Sequence, residues 1–167
     1  MMTIRPATLD DRAALLRLVA AQANFTEDEK KIAGEVIDDS LFGREDYRLL
    51  IAGEVTDHGT SRPGLANLPA DKPLAFVCYG PIPMTERSFD LYWIATAPAH
   101  GRRGIASRLL AAMEEELNGS VVYVDTSSTA GYARARAFYE KNGYRIAARL
   151  QDFYKTGDDR VIYRKEL

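Results

Sequence analysis

The residues whose types and spacing point most clearly to chemistry form a glycine-containing turn between a predicted strand and a predicted helix. The turn reads Gly101-Arg102-Arg103-Gly104-Ile105-Ala106. The first N–H groups of a helix have no partners inside the helix, and the helix dipole makes that end electropositive. Glycine allows the backbone to approach a phosphate closely, and the two arginines add positive charge. The turn is therefore predicted to bind a pyrophosphate.

Two other interpretations of this turn stay open at the level of the sequence. In the first, Gly101 only reverses the chain and the arginines are solvated, because short glycine motifs are common. In the second, the turn belongs to a dinucleotide-binding βαβ unit, with Asp125 about twenty residues beyond Gly104 as the ribose-binding acid. The lack of a Gly-x-Gly step and the preceding hairpin weigh against this second interpretation.

The periodicity of apolar residues predicts the elements that must position the turn. Strands are predicted at 2–7, 47–55, 74–82, 88–96, 121–124, 144–153 and 160–165. Helices are predicted after the N-caps Thr8 and Thr26, the second with Ile32, Val36 and Ile37 on its apolar face, and at 105–117 and 132–142. Residues 56–73, rich in Gly, Pro, Asp and Ser, are interpreted as an extended loop. We expect one domain, 1–167, built as an α+β sandwich around a mixed sheet.

The composition argues against several classes of function. The net charge is −2, so no basic field indicates a nucleic-acid partner. The single cysteine, Cys78, cannot form an intrachain disulfide, and no cluster of Cys and His has zinc-ligand spacing. The chain shows neither the apolar core of a secretion signal nor a membrane-spanning run. We therefore expect a cytoplasmic protein without a metal, nucleic-acid or membrane partner.

Two segments in the right order resemble motifs of the GNAT superfamily of N-acetyltransferases. Its coenzyme A motif, Gln/Arg-x-x-Gly-x-Gly/Ala after a Val-x-Pro-like step, is similar to Thr96-Ala97-Pro98 followed by residues 101–106. Its second motif, Asn-x-x-Ala-x-x-Phe/Leu-Tyr-Glu-Lys-x-Gly-Phe/Tyr, is similar to residues 132–144. The chain departs from these patterns at Gly101, where the family has Gln or Arg, and at Tyr132, where it has Asn. The order of elements also matches, so the resemblance covers nearly the whole chain.

The resemblance implies a fold, an activity and a cosubstrate. The fold is a mixed, mostly antiparallel sheet of about seven strands with about four helices. The activity is transfer of an acetyl group from acetyl-coenzyme A to a primary amine by direct attack on the thioester. The cofactor-binding residues carried over are Ile94, Ala95, Thr96, Gly101, Arg102, Arg103, Gly104, Ile105, Ala106, Tyr132, Ala135 and Tyr139.

The resemblance also implies a catalytic base and backbone contacts with the cosubstrate on the strand 88–96. Asp90 is the candidate catalytic base, because it lies four residues before Ile94, the offset at which histone-acetylating members have Glu; Glu86 is second choice. In a regular strand Asp90, Ile94 and Thr96 share one face. The family has a bulged or splayed strand here, which implies Ile94 N–H as the oxyanion donor and Thr96 N–H and C=O as contacts of the pantetheine arm.

Tyr139 is the candidate general acid. A phenol titrates near pH 10, so it is protonated at neutral pH and can donate to a departing thiolate. On helical spacing it shares a face with Tyr132 and Ala135, aimed at the cofactor tail. The alternative is a core aromatic beside Phe138.

The sequence leaves the acceptor open. We expect a small-molecule amine, with a protein α- or ε-amine as the alternative, and a homodimer is possible. Tyr79, Tyr92 and the run 126–129 are predicted to contribute to the acceptor pocket or its rim. Trp93 is considered with them, but its parity is opposite to that of Asp90, which favours a core position. For the pair 158–159, a solvated turn is preferred over a position near the acceptor site. The histidines, His58 and His100, receive no catalytic role. A non-catalytic coenzyme A-binding regulatory module is the other class of function, motivated by the two departures at Gly101 and Tyr132.

Overall fold

A computed structural model describes residues 2–55 and 71–167 of the chain. In these ranges it contains one seven-stranded sheet and four α-helices, which confirms the predicted α+β architecture. The elements are β1 (Met2–Pro6), α1 (Arg12–Ala20), α2 (Glu27–Leu41), β2 (Arg48–Val55), β3 (Asp71–Pro81), β4 (Ser88–Thr96), α3 (Ile105–Glu116), β5 (Val121–Ser127), α4 (Ala133–Lys141), β6 (Arg145–Lys155) and β7 (Asp158–Glu166). Most of the loop predicted at 56–73 lies outside the described residues. Its last three residues were predicted wrongly, because they belong to β3.

The sheet has the order β1-β2-β3-β4-β5-β7-β6. Its neighbouring strands are antiparallel except for β4 and β5, which are parallel. Two parallel neighbours need a crossover connection, and α3 supplies it. The turn predicted to bind pyrophosphate therefore stands at the end of β4, where the chain leaves the sheet to enter α3.

The start of α2 follows its predicted capping box. The Thr26 hydroxyl accepts from the Glu29 N–H (3.2 Å), and the Glu29 carboxylate accepts from the Thr26 N–H (2.7 Å). Two donors at the helix end are thereby satisfied by side chains. The apolar face of α2 differs from the prediction, because Ala33 and Ile37 are buried whereas Ile32 is 50% exposed.

Each face of the sheet carries its own hydrophobic core. On one face, Leu109, Leu110 and Met113 of α3 and Tyr139 of α4 pack against the strands. On the other, helices α1 and α2 cover the strands with a second cluster that includes Leu15 and Ile37. We call these the α3–α4 face and the α1–α2 face. Alternate residues of a strand point to opposite faces, so both cores draw on the same strands.

A β-bulge in β4 interrupts that alternation. Cys78 pairs with Trp93 whereas the next residue, Tyr79, pairs with Leu91, which leaves Tyr92 as the extra residue. Before the bulge, Leu91 faces the α3–α4 core; after it, Ile94 faces that same core although the two are three residues apart. The expectation that Asp90 shares a face with Ile94 and Thr96 is therefore wrong. None of the helices in the described part of the chain is both long and apolar enough to cross a membrane.

Candidate functional site

β4 and β5 pair over only three residues and then separate. The parallel register joins Ser88, Phe89 and Asp90 to residues 121–123, whereas β4 continues to Thr96 and β5 to Ser127. The unpaired parts of the two strands form a wedge-shaped gap that we call the β4–β5 opening. Its narrow end lies at Asp90, and its wide end lies at the turn that enters α3.

The backbone of β4 presents unpaired polar groups to this opening. Ala97, directly after β4, forms a hydrogen-bonded pair with Leu74 of β3, since the Ala97 N–H donates to the Leu74 carbonyl (2.7 Å). In an antiparallel ladder such pairs alternate, so the N–H and C=O groups of Ile94 and Thr96 point away from β3, toward β5. The Thr96 carbonyl accepts from the Gln22 amide (3.1 Å). The Ile94 N–H, predicted as the oxyanion donor, has no partner in the described part of the chain.

The turn before α3 leaves the first N–H groups of the helix without caps. The helix begins after Gly104, which adopts a left-handed conformation (φ 73°) and has no side chain to cap it. Since the first helical hydrogen bond runs from Arg108 N–H to the Gly104 carbonyl, the N–H groups of residues 105–107 have no partner within the helix. Arg102 (φ 63°) and Arg103 are both exposed beside these donors. This arrangement matches an anion-binding helix end.

Asp90 lies at the narrow end of the opening on the α1–α2 face. Its carboxylate is partly buried and forms no hydrogen bond or ion pair with the described residues. Burial raises the pKa of Asp90, and the nearby charge of Asp125 raises it further, whereas Arg160 opposes the shift. Arg160 forms an ion pair with Asp125 and lies over the Phe153 ring (5.0 Å). The raised pKa makes Asp90 a stronger base than an ordinary aspartate.

Tyr139 lies on the opposite face of the sheet. Its ring belongs to the α3–α4 core, together with Ile94 of β4 and Val124 of β5, and its hydroxyl bonds to none of the described residues. Burial raises the pKa of Tyr139, so the phenol stays protonated at neutral pH. Ala135 packs against the same core. Both the core position and the acid role expected for Tyr139 are compatible with this placement.

Tyr132 does not share the direction of Tyr139 and Ala135. It precedes α4 instead of lying within it, and its hydroxyl donates to the Glu29 carboxylate in the first turn of α2. The Asn24 carbonyl lies 3.4 Å from the same hydroxyl. The Tyr132 hydroxyl therefore contacts the α1–α2 part of the chain, and the cofactor contact expected of this residue stays a prediction.

The run 126–129 and the pair 158–159 bond to each other. The Ser127 hydroxyl donates to Asp158 (2.6 Å), and the Ser128 hydroxyl accepts from the Asp159 N–H (2.8 Å). The interpretation of residues 158–159 as a solvated turn is wrong, since both lie in β7 and are partly buried. The hairpin turn itself is formed by the two residues before them. Arg136, which sequence reasoning missed, donates to the carbonyls at both ends of 127–129.

The remaining candidates lie in the two hydrophobic cores or in the turn before β4. Trp93 and Tyr92 belong with the α1–α2 core, Trp93 edge-on to Phe25 (5.2 Å). Tyr79 is fully buried on the α3–α4 face, where its hydroxyl donates to Glu116 (2.5 Å), so it does not line the acceptor side. Glu86 is exposed before β4, on the far side of the paired segment from the opening.

Of the two histidines, His100 lies in the described part of the chain. His100 lies beside Arg103, with 3.0 Å between its Nδ1 and the guanidinium. His58 falls outside the described residues. Two contacts near the opening, Asp125 with Arg160 and Gln22 with Thr96, were not predicted, because the partners are distant in the sequence.

Comparison with known proteins finds similarity along nearly the whole chain. A family model described as an acetyltransferase (GNAT) domain matches residues 65–146. A structure from Desulfovibrio desulfuricans that is assigned to the GNAT family of acetyltransferases shares 32% identity over 99% of each chain, with a TM-score of 0.85. No curated protein sequence gives a significant match.

Two more distant structures share the fold. The ribosomal-protein-S18-alanine N-acetyltransferase from Escherichia coli has 21% identity over 99% of this chain and 94% of that chain, with a TM-score of 0.68. An aminoglycoside 6′-N-acetyltransferase complexed with coenzyme A has 14% identity over 98% of this chain and 96% of that chain, also with a TM-score of 0.68.

The conformation of the turn makes a testable prediction about its two glycines. Gly104→Ala should lower the free energy of unfolding in urea by about 1 kcal/mol, because a left-handed conformation is unfavourable for a residue with a Cβ. The loss is conformational, since among the described residues no atom outside its two chain neighbours lies within 4 Å of the added Cβ. Gly101→Ala is the matched control: Gly101 has φ −59°, so its stability should stay within about 0.5 kcal/mol of wild type. Equal losses for both variants would contradict the conformation assigned to this turn.

Proposed function

Because this chain belongs to the GNAT family of acetyltransferases, we propose that it transfers the acetyl group of acetyl-coenzyme A to the primary amine of a small molecule. The observation that carries the proposal is the β4–β5 opening, which leads from an anion-binding helix end to a carboxylate with a raised pKa. A thioester held along this opening has a hydrogen-bond donor on the strand and a base at its narrow end.

The residues of the turn fit the diphosphate of coenzyme A. The uncapped N–H groups at the start of α3 supply donors, and Arg102 and Arg103 supply positive charge. Gly101 stands where the family has Gln or Arg. Its replacement removes a side chain and leaves the backbone donors in place, so we expect binding to survive this departure.

The strand β4 holds the acyl end. Acetyl-coenzyme A supplies an activated thioester, and the Ile94 N–H donates to the carbonyl oxygen, where negative charge develops during attack. The Thr96 N–H holds the pantetheine arm, whereas the N–H and C=O groups of Ala95 point toward Phe76 of β3 and are not available to it. The Thr96 carbonyl, which already accepts from Gln22, has a second lone pair for that arm.

Asp90 accepts the proton of the attacking amine. An alkyl ammonium titrates near 10.4, so deprotonation at pH 7 costs about 3 pKa units, or roughly 4–5 kcal/mol. A carboxylate whose pKa is raised by burial and by Asp125 is better matched to this task than an ordinary one. Its position on the α1–α2 face means that the amine approaches from that face.

Tyr139 donates a proton to the departing thiolate from the α3–α4 face. Because burial raises the pKa of Tyr139, the phenol carries its proton at neutral pH and can serve as the donor. The base and the acid thus lie on opposite faces of the sheet, and the opening between β4 and β5 is the passage that connects them.

The charges around the opening favour a small acceptor over a basic peptide. A basic peptide would need several available carboxylates, but Asp125 is paired with Arg160, Glu29 bonds to Tyr132 and Thr26, and Asp158 bonds to Ser127. Asp90, by contrast with these three carboxylates, has no partner among the described residues. A single ammonium group suits it. The expected cytoplasmic location and the possible homodimer stay predictions.

The proposal is tested by thiol release from acetyl-coenzyme A across a panel of amines. The panel contains amino acids, polyamines, aminoglycosides and peptides with free α- or ε-amines, and mass spectrometry identifies the acceptor that gains an acetyl group. Turnover with a small amine is expected. Turnover with peptides alone would make the acceptor a protein, and coenzyme A binding without any turnover would indicate the regulatory module.

Replacing the base should move the pH dependence of the reaction. Asp90→Asn should lower kcat/KM at pH 7 by about 10²-fold and shift the optimum toward alkaline pH, because the amine must then lose its proton unaided. Asp125→Asn is the matched control: it retains the base and removes a charge that raises its pKa, so the acidic limb should move to lower pH. A pH–rate profile unaltered by Asp90→Asn would remove Asp90 from the mechanism.

Replacing the acid should lower turnover and spare binding. Tyr139→Phe should reduce kcat by about 10²-fold, because the thiolate loses its proton donor, while calorimetry shows nearly the same Kd for coenzyme A. Tyr144→Phe removes one oxygen from a buried ring 5.9 Å away and should leave kcat unchanged. The same kcat in wild type and Tyr139→Phe would show that the phenol takes no part in the transfer.

A further inference from the structure

The connection between α1 and α2, residues 21–26, joins the end of β4 to the segment that follows β5. On the β4 side, the Gln22 amide donates to the Thr96 carbonyl (3.1 Å), and the Phe25 ring packs edge-on against Trp93 (5.2 Å). On the other side, the Asn24 carbonyl lies 3.4 Å from the hydroxyl of Tyr132, which stands at the start of α4. The connection therefore touches both walls of the β4–β5 opening.

The Tyr132 hydroxyl makes the stronger contact on the far wall through Glu29. One oxygen of the Glu29 carboxylate accepts from the phenol, while the other accepts from the Thr26 N–H (2.7 Å) as part of the capping box. Tyr132 is therefore bonded to a part of α2 that is itself held in place by its cap. The partners are 103 residues apart, so this bond fastens two separate parts of the fold.

We infer that Tyr132 is a positioning residue whose hydroxyl, through Glu29, fastens the α1–α2 connection across the β4–β5 opening and so sets the acceptor side of the site. The inference rests on the proposed function in one respect: the amine approaches from the α1–α2 face, where Asp90 lies. It gives a role to the tyrosine that stands where the family motif has Asn. A phenol reaches Glu29, whereas the shorter Asn side chain would leave this bond unmade.

Loss of the bond should loosen the connection without unfolding the protein. A hydrogen bond to a carboxylate shifts a local opening equilibrium by about ten-fold or more. Phe25 would then spend more time away from Trp93. Because Trp93 is the only tryptophan in the chain, its fluorescence reports this movement directly.

The first test is acrylamide quenching of Trp93 in the full chain. In Tyr132→Phe the quenching constant should rise about two-fold, because the connection that covers Trp93 opens more often. Tyr163→Phe is the matched control, since it removes a phenol–carboxylate bond, to Glu140 (2.8 Å), that lies outside the connection; its quenching should stay at the wild-type value. Calorimetry with coenzyme A should give the same Kd for all three proteins.

Variants at Glu29 separate the bond from a general loss of stability. Glu29→Gln keeps both contacts, because its amide can accept from the Thr26 N–H and donate to the phenol oxygen, so wild-type quenching is expected. Glu29→Ala should raise quenching as Tyr132→Phe does. The double variant of Glu29→Ala and Tyr132→Phe should be no worse than Glu29→Ala alone, since that variant has already lost the bond to Tyr132.

Kinetics then connect the bond with the acceptor. In the thiol-release assay, Tyr132→Phe should raise the KM of the accepted amine about ten-fold and change kcat little. The reason is that the variant disturbs the acceptor side of the β4–β5 opening and leaves the groups that transfer protons in place. Wild-type quenching in Tyr132→Phe would overturn the inference. A weaker Kd for coenzyme A with unchanged quenching would also overturn it, by making Tyr132 a cofactor contact. Absence of thiol release from every amine, with the quenching results as expected, would count against the proposed function and not against this bond.

Discussion

The early end of the pairing between β4 and β5 is the constraint on which the site depends. A parallel ladder that continued past Asp90 would satisfy the outward N–H and C=O groups of Ile94 and Thr96 inside the sheet. Because the strands separate, these groups face a gap in the interior of the sheet, where the Thr96 carbonyl accepts from Gln22 and the Ile94 N–H has no partner among the described residues. The bulge at Tyr92 accompanies the separation, and bulges increase the local twist of a strand.

The separation also explains how one site can use both faces of the sheet. A closed sheet would keep a group on the α1–α2 face apart from a group on the α3–α4 face. Here the carboxylate of Asp90 and the phenol of Tyr139 are raised in pKa by burial on opposite sides of the same gap. Asp90 is suited to accept a proton, and the protonated phenol of Tyr139 is suited to donate one, as acid–base catalysis requires. The turn that we propose to bind the diphosphate lies at the wide end of this gap.

The sequence predicts the features that are decided locally. The bounds of β4, the capping box of Thr26 and Glu29, and the glycine turn before α3 depend on neighbouring residues, and each is found where it was predicted. The face on which Asp90 lies could not be read by alternation, because one extra residue at Tyr92 reverses the count. Contacts between distant segments, such as Tyr132 with Glu29 or Ser127 with Asp158, leave no local pattern in either partner. The family motif even suggests a different role for Tyr132.

Amide hydrogen exchange with and without acetyl-coenzyme A tests the central claim most directly, because the claim concerns individual backbone N–H groups. If the opening holds the cosubstrate, saturation with acetyl-coenzyme A slows exchange at the N–H groups of Ile94 and Thr96 and at residues 105–107. Unchanged exchange at these positions, or protection confined to another part of the chain, would contradict the account.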